Sequence, residues 1–260
     1  MKYPQKILQD HRCQLWLKRE KNANLSSIVQ NTLRCGMLLE NTRSIAMSII
    51  FTNALENILD EEIDGDEGKC IIYSAGDAIC IKIDGVNDTI KFMLNKAVSK
   101  LANFELTGPE FTAKKIQTIE KWKAGFTSVE GYGDELFSSI FWEKRPPSAE
   151  LIDAANNITR TELILFVKKF CQNCWIQGLI HGDFTKKEAA VLFKSSLATL
   201  KLYETYNSNP TPDIGRHLQP PATPHVIKRT NLNSNDGANF EKWFWYIGEV
   251  SIQEQMRLLI

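Results

Sequence analysis

Two Thr-x-x-Glu strings, Thr159–Glu162 and Thr185–Glu188, bracket a short apolar run from Trp175 to Ile180, and this arrangement restricts the fold more than any other feature. Each string is a capping box: the threonine oxygen accepts an N–H left over in the first helical turn, and the glutamate returns to the threonine's own N–H. Each therefore starts a helix. The first carries Leu163, Phe166, Val167 and Phe170 as its buried stripe, and the second runs to about Tyr203. Between them the apolar run closes at Gly182-Asp183, a tight turn. The order is helix, strand, turn, helix, which predicts an α+β chain with helices laid on a sheet.

Upstream, CQLWLKRE (13–20) and IVQNTLRC (28–35) read as strands. The second alternates Val29, Leu33 and Cys35 with Gln30, Thr32 and Arg34, the pattern of a half-buried sheet. From Asn41 the period changes, and Ile45, Ile49, Leu55, Ile58 and Leu59, with Met47 and Phe51 close by, predict a helix of about 20 residues. KCIIYSAGDAICIKIDG reads as a hairpin turning at Ala75-Gly76, with Cys70 opposite Ile81 and Cys80 opposite Ile71. The two thiols then point to opposite faces and cannot bridge.

Asn87 or Asp88 is expected to cap a helix through about Phe104, with Ile90, Phe92, Leu94, Val98 and Leu101 mostly inward. Pro109 starts another, carrying Ile116, Ile119 and Trp122. Helices follow at about 134–143 and 148–156, separated by Arg145-Pro146-Pro147. Five of the nine prolines then fall within 207–224, which reads as a linker. Strands are expected near 225–230 and 238–247, and a helix from about Ser251 carries Met256, Leu258, Leu259 and Ile260 into the chain end. The expected organisation is a domain at 1–206, the linker at 207–224, and the truncated start of a second α+β domain at 225–260.

Lys plus Arg total 31 and Asp plus Glu total 31, with the signs mixed, so no basic face draws nucleic acid. No run reaches the roughly 20 apolar residues of a membrane span, and MKYPQKILQDHR lacks a signal-peptide core, so a cytoplasmic protein is expected. Six cysteines are too sparse for a disulfide framework, and reduced thiols are the simpler reading.

Candidate chemistry is limited. Cys171 and Cys174 have C-x-x-C spacing, open to redox, metal or plain burial. Zinc needs four ligands; no second pair follows, and His181 lies about 20 Å along the strand from Cys174, so buried structural thiols are favoured. The acidic run Asp60 to Gly68 resembles a calcium loop, but position 12 counted from Asp60 is Ile71, where a bidentate glutamate is needed. His11, His181, His217 and His225 form no H-E-x-x-H or H-x-x-E-H string. Trp243-Phe-Trp-Tyr246 suits a ligand-stacking platform or, more simply, rings facing a core and a neighbouring layer. No dinucleotide fingerprint, P-loop or G-x-S-x-G occurs. No catalytic, cofactor-binding or metal residue is assigned.

Four strings carry a resemblance: LWLKREKN (15–22), IKIDGVND (81–88), LILFVKKFCQNCWIQGLIHGDFTKKEA (163–189) and NLNSNDGANFEKWFWYIG (231–248). They resemble the pitrilysin/insulinase (M16) metallopeptidases, most closely the nardilysin-like branch, at the third domain and the start of the fourth. The most specific segment is Gly178-Leu-Ile-His-Gly182-Asp-Phe-Thr185, where Asp183 stands for the family's usual Asn. The resemblance implies an antiparallel sheet covered on one face by helices, serving as a non-catalytic wall of a peptide chamber. Zinc in full-length members is held by an H-x-x-E-H string that has no counterpart here. Peptide substrates, or the missing catalytic half, are the partners it implies. Two alternatives stand beside it: an incomplete portion of an active zinc endopeptidase, and a stand-alone protein-binding module.

Overall fold

A computed structural model of the chain describes residues 3–20, 26–62, 68–125, 128–200, 226–230 and 237–243. Its elements are β1 (Gln5–Gln9), β2 (Cys13–Arg19), β3 (Ser27–Arg34), a short 3-10 turn (Gly36–Leu39), α1 (Thr42–Glu62), β4 (Gly68–Ala75), β5 (Ala78–Gly85), α2 (Asn87–Ala102), α3 (Gly108–Ala124), α4 (Val129–Phe141), α5 (Ser148–Asn156), α6 (Arg160–Asn173), β6 (Trp175–Gly182) and α7 (Lys186–Leu200).

The six strands form one sheet in the order β1-β2-β6-β3-β5-β4. Every pair is antiparallel except β2 with β6, which run parallel from Cys13 beside Ile176 to Arg19 beside Gly182. The sheet is thus mixed rather than purely antiparallel. A parallel pair needs a long crossover, and here everything between β2 and β6 supplies it. β1 has no counterpart in the sequence reading: QKILQ is short, largely exposed and bulged between Lys6 and Leu8.

One face of the sheet is the core. Leu15 and Leu17 of β2, Val29 and Leu33 of β3, Ile79, Ile81 and Ile83 of β5, and Ile176 and Ile180 of β6 all turn to it and are at most 1% exposed. On that face α7 lies over β1 and β2, α2 over β3 and β5, and α1 along β4, while α6 packs on α1 and α2. Phe51 of α1 meets Phe104 edge-to-face at 4.8 Å and Phe170 at 6.3 Å, joining those layers.

Several local readings shift. The hairpin turns at Gly76-Asp77, not Ala75-Gly76, because Gly76 takes the left-handed backbone (φ +59°) that other residues resist. Cys70 therefore pairs with Ile83 and Cys80 with Tyr73. The displacement is two residues, one full pleat, so the two thiols still face opposite ways. α2 is preceded by Val86 without a side-chain cap; the Asn87 side chain is engaged elsewhere. Phe92 and Ile116 are 59% and 53% exposed, each on the outward side of its helix, while Met93, Ala97 and Phe111 supply burial instead. α3 starts on an unanticipated capping box, with the Thr107 N–H donating to Glu110 at 2.6 Å and the Glu110 N–H to Thr107 Oγ1 at 3.4 Å. α4 begins five residues earlier than expected, on the Ser128 cap. Residues 226–230 and 237–243 carry no strand pairing. The 207–224 linker and the helix expected from Ser251 lie outside the described residues.

Contacts group the chain into two units, 1–122 with 149–214, and 123–148 with 215–260. The first holds the sheet. In the second, Lys242 pairs with Asp134 at 2.6 Å and sits 4.5 Å from the centre of the Phe137 ring. A Cβ at Gly133 would lie 2.3 Å from the Phe240 ring, so the glycine makes the notch in which that ring rests.

Candidate functional site

The G-L-I-H-G-D-F-T segment ends β6 and leads into α7. Gly182 has φ +147°, and a Cβ there would meet Ser27 Oγ of β3 at 1.9 Å, so both the conformation and the space require glycine. Ser27 Oγ donates to Asn87 Oδ1 (2.8 Å), and Asn87 Nδ2 donates to the Asp183 carbonyl (3.0 Å). The Asn87 side chain thus fastens the starts of α2 and α7 to the sheet. Arg19 Nε and Nη2 both donate to Asp183 Oδ1 at 3.3 Å.

His181 lies on the face opposite the helices, and its Nε2 is 2.8 Å from Glu20 Oε2. That hydrogen bond, followed by the charge of His181 and then of Lys18, holds the Glu20 carboxyl below its ordinary range. The pair is solvent-exposed, an arrangement that contributes little to stability.

Cys171, in the last turn of α6, donates to the Leu101 carbonyl at 3.6 Å, and Cys174 to the Cys171 carbonyl at 3.7 Å. Burial pushes the Cys171 thiol up to about 12 and Cys174 well above its ordinary value. Thiols so reluctant to ionise are slow nucleophiles. The structure does not bring His181 together with the two cysteines as a metal-binding group. Among the described residues no three His, Cys, Asp or Glu side chains converge as a metal site, and this donor set does not fit a zinc ion.

Of the other candidates, His11 is exposed; His217, His225 and residues 63–67 of the acidic run lie outside the described residues. Trp243 is 69% exposed; Phe244, Trp245 and Tyr246, the other three rings of that cluster, lie outside the described residues.

The feature that motif reading missed is the open face of the sheet. It carries Trp16, Trp175, Leu179, Ile28, Ile71 and Tyr73 among Gln14, Gln30, Gln177 and Lys82. Most of these are half-buried, although among the described residues α1, α2 and α7 pack on the other face. A solvated sheet face ordinarily alternates to polar residues. The signal in sequence was the tryptophans and Leu179 at alternate positions where charges belong.

No family model matches the sequence. The chain is 21% identical to human nardilysin over 268 aligned positions, covering 99% of this chain and 23% of that protein. It is 24% identical to human insulin-degrading enzyme over 151 positions, covering 55% of this chain and 14% of that one. In fold it is similar to pitrilysin, with TM-score 0.71 and 10% identity over 81% of this chain and 23% of that one. It is also similar to a peptidase M16 inactive domain from Pseudomonas fluorescens, with TM-score 0.63 and 8% identity over 80% of this chain and 53% of that one. The chain thus spans about a quarter or less of the two relatives it matches in sequence. Sequence similarity along nearly its whole length to nardilysin, and a fold shared with pitrilysin and with a peptidase M16 inactive domain, make the chain similar to a nardilysin-like portion of the M16 peptidases.

Proposed function

We propose that this chain supplies non-catalytic C-terminal-half structure to a nardilysin-like zinc metalloendopeptidase, as chamber wall and as a surface for peptides or a partner half. The observation that supports the reading is the open sheet face, whose half-buried tryptophans and aliphatic residues suit contact with another chain. Zinc and peptide hydrolysis belong, on this reading, to a catalytic half supplied from elsewhere. A reducing compartment such as the cytoplasm accords with the six free cysteines.

The purified full chain should retain a fluorescein-labelled dibasic peptide without cleaving it. Leu179→Glu and Tyr73→Glu, both on the open face, should abolish retention while leaving the melting temperature nearly unchanged. Cleavage that a chelator stops and zinc restores would overturn the proposal. A stand-alone binding module would use the same face, and the two readings part on whether the chain forms a peptide-cleaving complex with a catalytic M16 half.

A further inference from the structure

Three hydrogen-bond donors fall in one row across the open face. Trp175 begins β6, and Arg34 of β3 lies directly opposite it in the ladder. Arg12 lies on its other side, where the Ile176 N–H donates to the Arg12 carbonyl at 3.0 Å. Neighbouring strands are about 4.8 Å apart, so the three residues stand side by side along the row. The Trp175 indole N–H and the Nε–H groups of Arg12 and Arg34 are buried, yet none has an acceptor among the described residues. Trp175 as a whole is only 2% exposed. Buried N–H groups normally have partners, and here the unmet demand is one-sided. Trp16 Nε1, on the same face, is a fourth such donor, whereas among the described residues the one orphaned acceptor, Asn31 Oδ1, is on the core face.

The charges decide what fits. Asp10 lies 3.7 Å from Arg12 Nη2, and Asp77 lies 2.6 Å from Arg34 Nη1. The two carboxylates engage the outer ends of the guanidinium groups and leave the Nε sides. Two arginines against two aspartates leave no net positive charge to offset a second negative charge, so a singly charged group such as a carboxylate suits the row better than a dianion such as phosphate. Gln14 and Gln177, opposite each other in the next row of the same face and half-buried, can hydrogen-bond a peptide backbone.

We infer that the Arg12–Trp175–Arg34 row binds a carboxylate, such as the C-terminus of a peptide lying on the open face. This deepens the proposed function and rests on the open face being a peptide-binding surface.

The full chain, labelled with nitrogen-15, is titrated with acetyl-tetra-alanine bearing a free C-terminus, with its C-terminal amide, and with inorganic phosphate. Trp175→Phe assigns the indole resonance, and calorimetry gives affinities. The free acid alone should shift the Trp175 indole proton downfield. Trp175→Phe and Arg12→Gln should each weaken acid binding about tenfold, the loss of one charge-assisted hydrogen bond. Arg34→Ala is combined with Asp77→Ala, because Asp77 is 4% exposed and would otherwise be left buried without its cation. If acid and amide bind equally well, the surface stands and the carboxylate assignment falls. Phosphate binding more tightly than the acid overturns the assigned ligand class. If neither peptide binds, the surface reading fails as well.

Discussion

Gly182 combines a left-handed backbone (φ +147°) with a Cβ position occupied by Ser27 Oγ. Gly182→Ala should therefore destabilise the chain by about 2–4 kcal/mol in urea unfolding; a loss under about 0.5 kcal/mol would show that the strand end relaxes freely. Sequence shows this glycine as a turn signal, because Gly-Asp punctuates an apolar run. It does not show the reason, since Ser27 is remote in the chain. The same limit applies to Asn87, whose residue type suggests a helix cap. Its side chain accepts from Ser27 and donates to Asp183, and those tertiary partners take it from the helix start. His181 was legible as a histidine near the end of an apolar strand, whereas its partner Glu20 became visible only once β2 and β6 were side by side.

At the scale of elements, helix starts were the most readable feature because their chemistry is local. The Thr159 box of α6 and the Thr185 box of α7 are both present, with the Thr159 N–H donating to Glu162 at 2.9 Å and the Thr185 N–H to Glu188 at 2.8 Å. Hydrogen bonds from the Thr159 backbone and side chain, then from Arg43, lower Glu162 from an ordinary 4.5 to about 2. Glu110 and Glu188 are lowered by their own box threonines. A carboxyl lowered by folding stabilises above its unfolded value, and that contribution is lost as pH falls toward the folded value. Glu162→Gln, Glu110→Gln and Glu188→Gln together should flatten the loss of stability between about pH 4.5 and 2, measured by urea midpoints. A wild-type slope in the triple variant would mean these boxes do not govern the acid limb. Strand alternation in β3 was equally legible, but the hairpin was misplaced by one residue at its turn. There the left-handed Gly76, rather than side-chain pattern, sets the register.

For the whole molecule, the class of fold was readable from its elements, but strand order was not. Nothing in CQLWLKR announces that it lies between QKILQ and the distant WIQGLIHG, because period-two patterns specify which face is buried and not which neighbour is paired. The open face was obscured for a related reason: its half-buried residues become a surface only when β2, β6, β3, β5 and β4 are set in order. Cysteine chemistry also belongs to this scale. Cys13, Cys70 and Cys171 are each pushed up to about 12 by burial, and Cys35 and Cys174 are raised as well. An aromatic disulfide reagent near pH 8 should therefore react with these five far more slowly than with free cysteine, while denaturant releases all six at once. Rapid native labelling of Cys171 or Cys174 would restore the redox reading.

The parallel seam between β2 and β6 ties together two strands far apart in the chain, Cys13 beside Ile176. A nascent chain leaves the ribosome N-terminus first, so Leu15 and Leu17 wait without their neighbour until Trp175 to Gly182 have emerged. Distant pairing of this kind forms slowly. The hazard for this polypeptide therefore lies in its birth, when a half-built sheet must be shielded from other sticky chains until translation delivers the strand that closes it.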